Sequence, residues 1–196
     1  MFHSSVSSIS FSFLFLFLLL LPNQNGSSTG ALSADLINST CRQCTERSTV
    51  LSYNFCSTSL QAIPISHFTN QQGLAIIAME LATQNATNTV SRIEEMLSSG
   101  AFDAFDIECL KDCLDLYVNA VAMLVNSIGA FISEEYSAAT LLVRTAMEAT
   151  EACEQGFAAK KEREATPLTE ENYNLLELSD IALCILNLLS FHLPSL

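Results

Sequence analysis

Seven cysteines carry most of the chemistry this sequence could do: Cys41, Cys44, Cys56, Cys109, Cys113, Cys153 and Cys184. Cysteines of this kind either hold metal or oxidise to disulfides. Zinc sites need ligand pairs at short fixed spacing. Cys41 and Cys44 make one CxxC, but no second CxxC and no HxxxH follow. Neither a metal nor a cofactor is therefore expected, and structural disulfides are. The odd count leaves at least one thiol free or joined to another molecule. Beyond His3, the only histidines are His67 and His192. A Ser–His or Cys–His pair needs its imidazole held rigidly beside the nucleophile. His67 falls in a linker and His192 in a C-terminal tail, so neither meets that need. Glu-x-x-His, GxGxxG, P-loop and HExxH patterns are all missing. The acids are many, but they fall on the polar faces of amphipathic helices, where charge is usually just solvated. The expectation is a protein that is not an enzyme.

Disulfides imply an oxidising compartment, and the N-terminus agrees. Phe11 to Leu21 reads FSFLFLFLLLL, with Ser12 its only polar residue. The run suits the apolar core of a secretory signal and is too short to span a bilayer, which takes about 20 residues. PNQNGSSTG follows, and no Asp, Glu, Lys or Arg occurs before Asp35. Residues 1–26 are thus expected to be a signal peptide, cleaved somewhere between Gly26 and Ala34. The rest is one domain, secreted to the extracellular space. Its 21 acidic and 8 basic residues give a net charge of −13. Nucleic acid, which is bound through Lys and Arg, is excluded as a partner. A basic partner would be steered toward such a surface. No membrane association is expected after cleavage, and a monomer is.

The elements that must position these cysteines read as helix throughout, an all-α chain. Ser33 can cap a first helix in which Ile37, Cys41 and Cys44 share a face. The pattern breaks near Ser48, and a second short helix places Tyr53, Cys56 and Leu60 on one face. Together they form a hairpin over residues 33–62. Helices this short are marginal alone, so a bridge between them has a clear job. After the linker 61–70 come four longer runs, a bundle over residues 71–190. The first spans 71–98, with small residues Ala75, Ala82 and Ala86 on its stripe. The second spans 103–128 and stops at Gly129. The third opens at Ser133 as cap, with Glu134 and Glu135 in its first turn. The fourth opens at Thr169 after Pro167 and is apolar nearly all round from Ile181 to Leu189, so it should be the most buried. Short connections force antiparallel neighbours, giving an up-down-up-down four-helix bundle behind the N-terminal hairpin.

Within that bundle Cys113 and Cys153 face the core at matching heights. Counted from residue 131, one lies 18 residues back and the other 22 forward. A bridge between them would contribute about 4 kcal/mol in the chain-entropy model, and Cys41–Cys56 about 3 kcal/mol. Spacing alone leaves competitors: Cys44 for Cys56, and Cys109 for Cys153. Cys184, in the apolar fourth helix, reads as a buried thiol. Three sequons, at Asn25, Asn38 and Asn85, could accept glycans in a secreted protein. Asn25 can leave with the signal, so Asn38 and Asn85 are the candidates.

Several segments carry a family resemblance: ADLINSTC (34–41), YNFCSTSL (53–60), LKDCLDLYVNAVAML (110–124), and a stretch from Tyr136-Ser-Ala-Ala to CEQGF (153–157). In this order behind a signal, the chain resembles the plant invertase and pectin methylesterase inhibitor family. The resemblance implies a four-helix bundle with a preceding hairpin. It implies one disulfide in each part, carried onto Cys41, Cys56, Cys113 and Cys153. It also implies a 1:1 complex that occludes the cleft of a cell-wall carbohydrate enzyme. Relatives that block invertase carry Pro-Lys-Phe at the start of the third bundle helix, where this chain has Ser133-Glu134-Glu135-Tyr136. The cation is replaced by acid while an aromatic stays. Glu134, Glu135 and Tyr136 thus become the candidate partner-binding residues, and pectin methylesterase the expected target. Acid invertase and a non-inhibitory, allergen-like binding bundle are the alternatives.

Overall fold

The computed structural model describes residues 28–158 and 166–190. The signal segment 1–26 therefore lies outside the described residues, as does His192. Two helices form the hairpin, α1 (Ser28–Thr45) and α2 (Tyr53–Gln61). A 3-10 turn, Pro64–Phe68, leads into the bundle helices α3 (Gln71–Ser98), α4 (Ala104–Ile132), α5 (Tyr136–Ala158) and α6 (Thr169–Ser190). No strand occurs among the described residues. Three helices start on side-chain caps: Ser52 accepts from the Phe55 N–H, Asn70 from Gly73 and Asp103 from Asp106. Each satisfies a backbone donor that the first helical turn cannot.

The bundle closes in a ring, with α3 against α4, α4 against α5, α5 against α6, and α6 back against α3. Its core holds Leu74, Met79, Ile93, Tyr117, Leu124, Phe157 and Ile181, all fully buried. Ala75, Ala82 and Ala86 are also fully buried, so α3 offers its neighbours a low ridge. Helix α6 is the most enclosed, burying Leu175, Leu178, Ile181, Ala182, Leu183, Ile185, Leu186 and Leu188.

Three expected boundaries move. Helix α1 begins at Ser28, which puts Ser33 inside it rather than at its cap. One glycine, Gly30, costs a helix only about 1 kcal/mol and does not end it. Helix α4 runs through Gly129 to Ile132, and Ser133 caps its C-terminus instead of opening α5. Gly129 is exposed, so it loses no packing by staying helical. Helix α5 starts at Tyr136, leaving Glu134 and Glu135 in the turn before it.

The cysteines pair as Cys41–Cys56, Cys113–Cys153 and Cys44–Cys184, with Cα separations of 5.7, 5.1 and 5.6 Å. The third pair corrects the reading of Cys44 as a rival for Cys56 and of Cys184 as a buried thiol. Its cause is a polar seam on α6. Tyr173, Glu177, Asp180 and Cys184 recur at steps of four, three and four, so they share one face. All four reach the hairpin. The Tyr173 hydroxyl donates to the Val50 carbonyl (3.3 Å), and Glu177 Oε1 accepts from the Ser52 N–H (3.0 Å). Asp180 takes the Ser48 hydroxyl. Cys184 closes the seam covalently. Cys109 stays a buried thiol, its Sγ 3.5 Å from the Gly156 carbonyl.

Candidate partner-binding surface

The turn between α4 and α5 is built by hydrogen bonds that close the end of α4. Ser133 N–H donates to Gly129 O at 3.0 Å, Glu134 N–H to Phe131 O at 3.0 Å and Glu135 N–H to Ala130 O at 2.9 Å. The last two form a Schellman closure, which wants its first residue past the cap in the left-handed region. Glycine normally fills that place. Here Glu134 does, with φ 63°, at a cost of about 1 kcal/mol. Tyr136 packs edge-on against Phe131, ring centroids 5.4 Å apart and planes at 76°. The aromatic is thereby fixed next to two exposed carboxylates. Glu134, Glu135 and Tyr136 therefore sit on one rigid corner.

The outer face of α4 leads into that corner. Val118, Ala122, Val125, Gly129 and Ile132 follow a four-three-four-three repeat and all are exposed. Val118 is 50%, Val125 53% and Ile132 67% accessible. From Leu116 to Ser133 the helix holds no Asp, Glu, Lys, Arg or His. In a chain of net charge −13, eighteen uncharged residues leave a neutral, apolar strip along one helix. Both α4 and α6 are long and apolar enough to cross a membrane by composition alone. The most apolar window of α6 is 56% buried in the fold, whereas that of α4 is only 28% buried.

A polar network braces the bundle where α4, α5 and α6 meet. Buried Tyr117 donates its hydroxyl to Asn172 Oδ1 at 2.6 Å. Asn172 Nδ2 donates to Glu154 Oε1 at 2.6 Å, and the Thr166 hydroxyl to the same oxygen at 2.9 Å. Burial pushes the Tyr117 phenol well above the ordinary tyrosine range, helped by the charges of Glu171 and Glu154. A shallow groove between α5 and α6, lined by Glu151, Glu154, Asn172 and Tyr173, opens beside it. Tyr117, Asn172, Glu154 and Thr166 hold one another through these three hydrogen bonds, which reads as a brace rather than proton-transfer machinery.

His67, in the 3-10 turn, sits with Nε2 3.0 Å from the Gln61 carbonyl oxygen. No group of three or more His, Cys, Asp or Glu side chains that could hold a metal occurs among the described residues. The two glycan candidates differ. Asn38 lies on α1, its Oδ1 accepting from the Tyr53 hydroxyl (3.1 Å) and Gln61 Nε2 (3.3 Å). Asn85 lies mid-way along α3 with its Oδ1 buried and unpaired. The α4 strip was missed by sequence reasoning that assigned every apolar stripe to core. The usable signal was the charge-free run itself, too wide for one core-facing stripe.

The chain as a whole is similar to known proteins. The model of the family described as "Plant invertase/pectin methylesterase inhibitor" matches residues 35–185. A Platanus orientalis protein named "Putative invertase inhibitor" is 35% identical over 158 residues, covering 81% of this chain and 92% of that protein. An Arabidopsis thaliana "Cell wall / vacuolar inhibitor of fructosidase 2" is 30% identical over 126 residues, covering 64% of this chain and 67% of its own. Among solved structures, a mutant form of a pectin methylesterase inhibitor from Arabidopsis superposes with a TM-score of 0.63 at 20% identity, over 77% of this chain and 95% of that one. At that identity the likeness speaks for the fold alone. The family match and the Platanus relative settle membership: the chain belongs to the plant invertase/pectin methylesterase inhibitor family, whose members are inhibitors and not enzymes.

Proposed function

We propose that this protein is secreted to the plant cell wall and inhibits pectin methylesterase there, as a 1:1 complex. The observation that carries the reading is the acidic corner of Glu134 and Glu135 at the end of an uncharged strip. A glycosidase cleft that works through two carboxylates would repel that corner. A basic enzyme would be drawn to it, the −13 charge speeding encounter.

In this reading Tyr136 and the α4 strip supply the desolvated centre of the contact, and the carboxylates form its rim. Val118 to Ile132 spans about 21 Å of helix. A stable interface covers about 800 Å² on each partner, so neighbouring residues of α5 must contribute. The disulfides and the closed turn hold this surface before binding, which lowers the ordering cost. Secretion through the 1–26 signal and glycosylation at Asn38 belong to the same proposal. Asn38 is the better acceptor, because the Asn85 amide oxygen is already buried.

A second reading, inhibition of acid invertase, is favoured by the names of the Platanus and Arabidopsis relatives. Titrating purified protein into each enzyme at apoplastic pH separates the two. The first reading expects pectin methylesterase activity to fall to zero near one equivalent while invertase is untouched. The reverse pattern would establish the second. Loss of neither activity at micromolar excess would leave a non-inhibitory binding bundle.

A further inference from the structure

The Cys44–Cys184 bridge differs from its two neighbours in where it lies. Cys41, Cys56, Cys113 and Cys153 are almost fully buried. Cys44 is buried too, but Cys184 is only half-buried. It lines a mixed cavity where α1, α5 and α6 meet, together with Cys44, Ser48, Asp180, Arg47 and Arg144. Two guanidinium groups at one cavity stand out in a chain with only 8 basic residues and 21 acidic ones. Arg144 is exposed. Asp180 is the carboxylate in the same lining, and it accepts the Ser48 hydroxyl. Over the rest of the molecule an anion meets net negative charge.

We propose that this cavity is a site of thiol–disulfide exchange for a small anionic thiol, and that Cys184 is the sulfur attacked. The carboxylates of the incoming thiol would pair with Arg144, the exposed cation of the lining. Its thiolate attacks Cys184 Sγ, forming a mixed disulfide as the Cys44–Cys184 bond breaks. Cys44 leaves with the electron pair as a thiolate, in a cavity whose lining also holds Arg144. One sulfur is oxidised and one reduced, so no other oxidant or reductant is needed. The bond lost is the one disulfide between the hairpin and the bundle, because the other two bridges lie within those units.

The test uses the secreted, fully oxidised protein. Glutathione serves as the anionic thiol and 2-mercaptoethanol as the neutral one, at equal thiolate concentration. Reactions are quenched by alkylation, and each disulfide is followed by peptide mass mapping. With glutathione, Cys44–Cys184 should open first and leave a glutathionyl group on Cys184. Arg144→Gln, at an exposed position, should slow that opening on the order of tenfold and leave the 2-mercaptoethanol rate unchanged. The proposal is overturned by an adduct on Cys44, by Cys41–Cys56 opening equally fast, or by Arg144→Gln leaving the glutathione rate intact. None of these readouts depends on which enzyme the protein inhibits.

Discussion

The hairpin and the bundle are built from the same kind of helix and are held by different forces. The bundle closes on apolar side chains, with Leu74, Met79, Leu124, Phe157 and Ile181 fully buried at its centre. One internal bridge, Cys113–Cys153, adds to packing that would form a core without it. The hairpin has helices of 18 and 9 residues and little core of its own. Its buried Ile37, Leu51 and Leu60 join the bundle core, and a polar seam on α6 docks it further through three hydrogen bonds and a disulfide. Burial within a ring of four helices holds the first unit, whereas the second adds a few identifiable polar and covalent contacts to a much smaller apolar one. Single substitutions should therefore reach much further in the hairpin than in the bundle.

The largest effect is expected from the Cys44→Ala, Cys184→Ala double variant. Its bridge has a sequence separation of 140 residues, the longest of the three. The chain-entropy model puts loss of such a closure at about 4–5 kcal/mol. Hydrogen exchange should show protection lost across residues 37–61 while α3 to α6 stay protected. Uniform loss across all six helices would erase the distinction between the two units. Next comes Glu177→Ala, which leaves the Ser52 N–H without its buried acceptor. A hydrogen bond to a charged group contributes about 2 kcal/mol, and the denaturant midpoint should fall accordingly with the slope unchanged.

Tyr117→Phe probes the bundle side and should cost about 1 kcal/mol, since Asn172 Oδ1 loses its donor. It also carries a pH signature. The folded state holds the Tyr117 proton more tightly than the unfolded chain does. Stability is therefore intact below the ordinary tyrosine range and falls as pH rises above about 10, where the unfolded phenol ionises. Thermal melts across that range should show a shallower alkaline decline in the phenylalanine variant. The smallest effect has the opposite sign. Glu134→Gly should stabilise the protein by about 1 kcal/mol by relieving the left-handed backbone, a gain visible as a raised melting temperature. If the variant also inhibits less well, the strain is retained for the contact.

Much of this was legible from residue pattern. Four apolar stripes with short connections dictate an antiparallel bundle, and the matching heights of Cys113 and Cys153 put a bridge within reach. The hairpin's attachment was not legible, because the apolar run from Ile181 to Leu189 dominates any reading of α6. Tyr173, Glu177 and Asp180 precede that run on the face that Cys184 continues, and the partners that make sense of them are over a hundred residues away. The α4–α5 corner failed for a different reason. Gly129 and Ser133 carry ordinary stop and start chemistry, but tertiary packing of Phe131 against Tyr136 carries the helix one turn further. Local propensity is a weak prior where an aromatic contact sits just beyond the boundary. The α4 strip was hidden by its own hydrophobicity, which core and contact surface share.

In the proposed function this exposed, uncharged strip and the acidic corner beside it form the enzyme-binding surface. Val125→Asp tests it directly, because Val125 is exposed mid-strip and the change touches no buried contact. Inhibition constants of the wild type and this variant should be measured against pectin methylesterase alongside their melting temperatures. The prediction is at least about a tenfold loss of affinity, or roughly 1.4 kcal/mol, with the melting temperature essentially unchanged. A variant that inhibits as well as the wild type would place the contact elsewhere on the bundle and rule out the α4 strip as the binding surface.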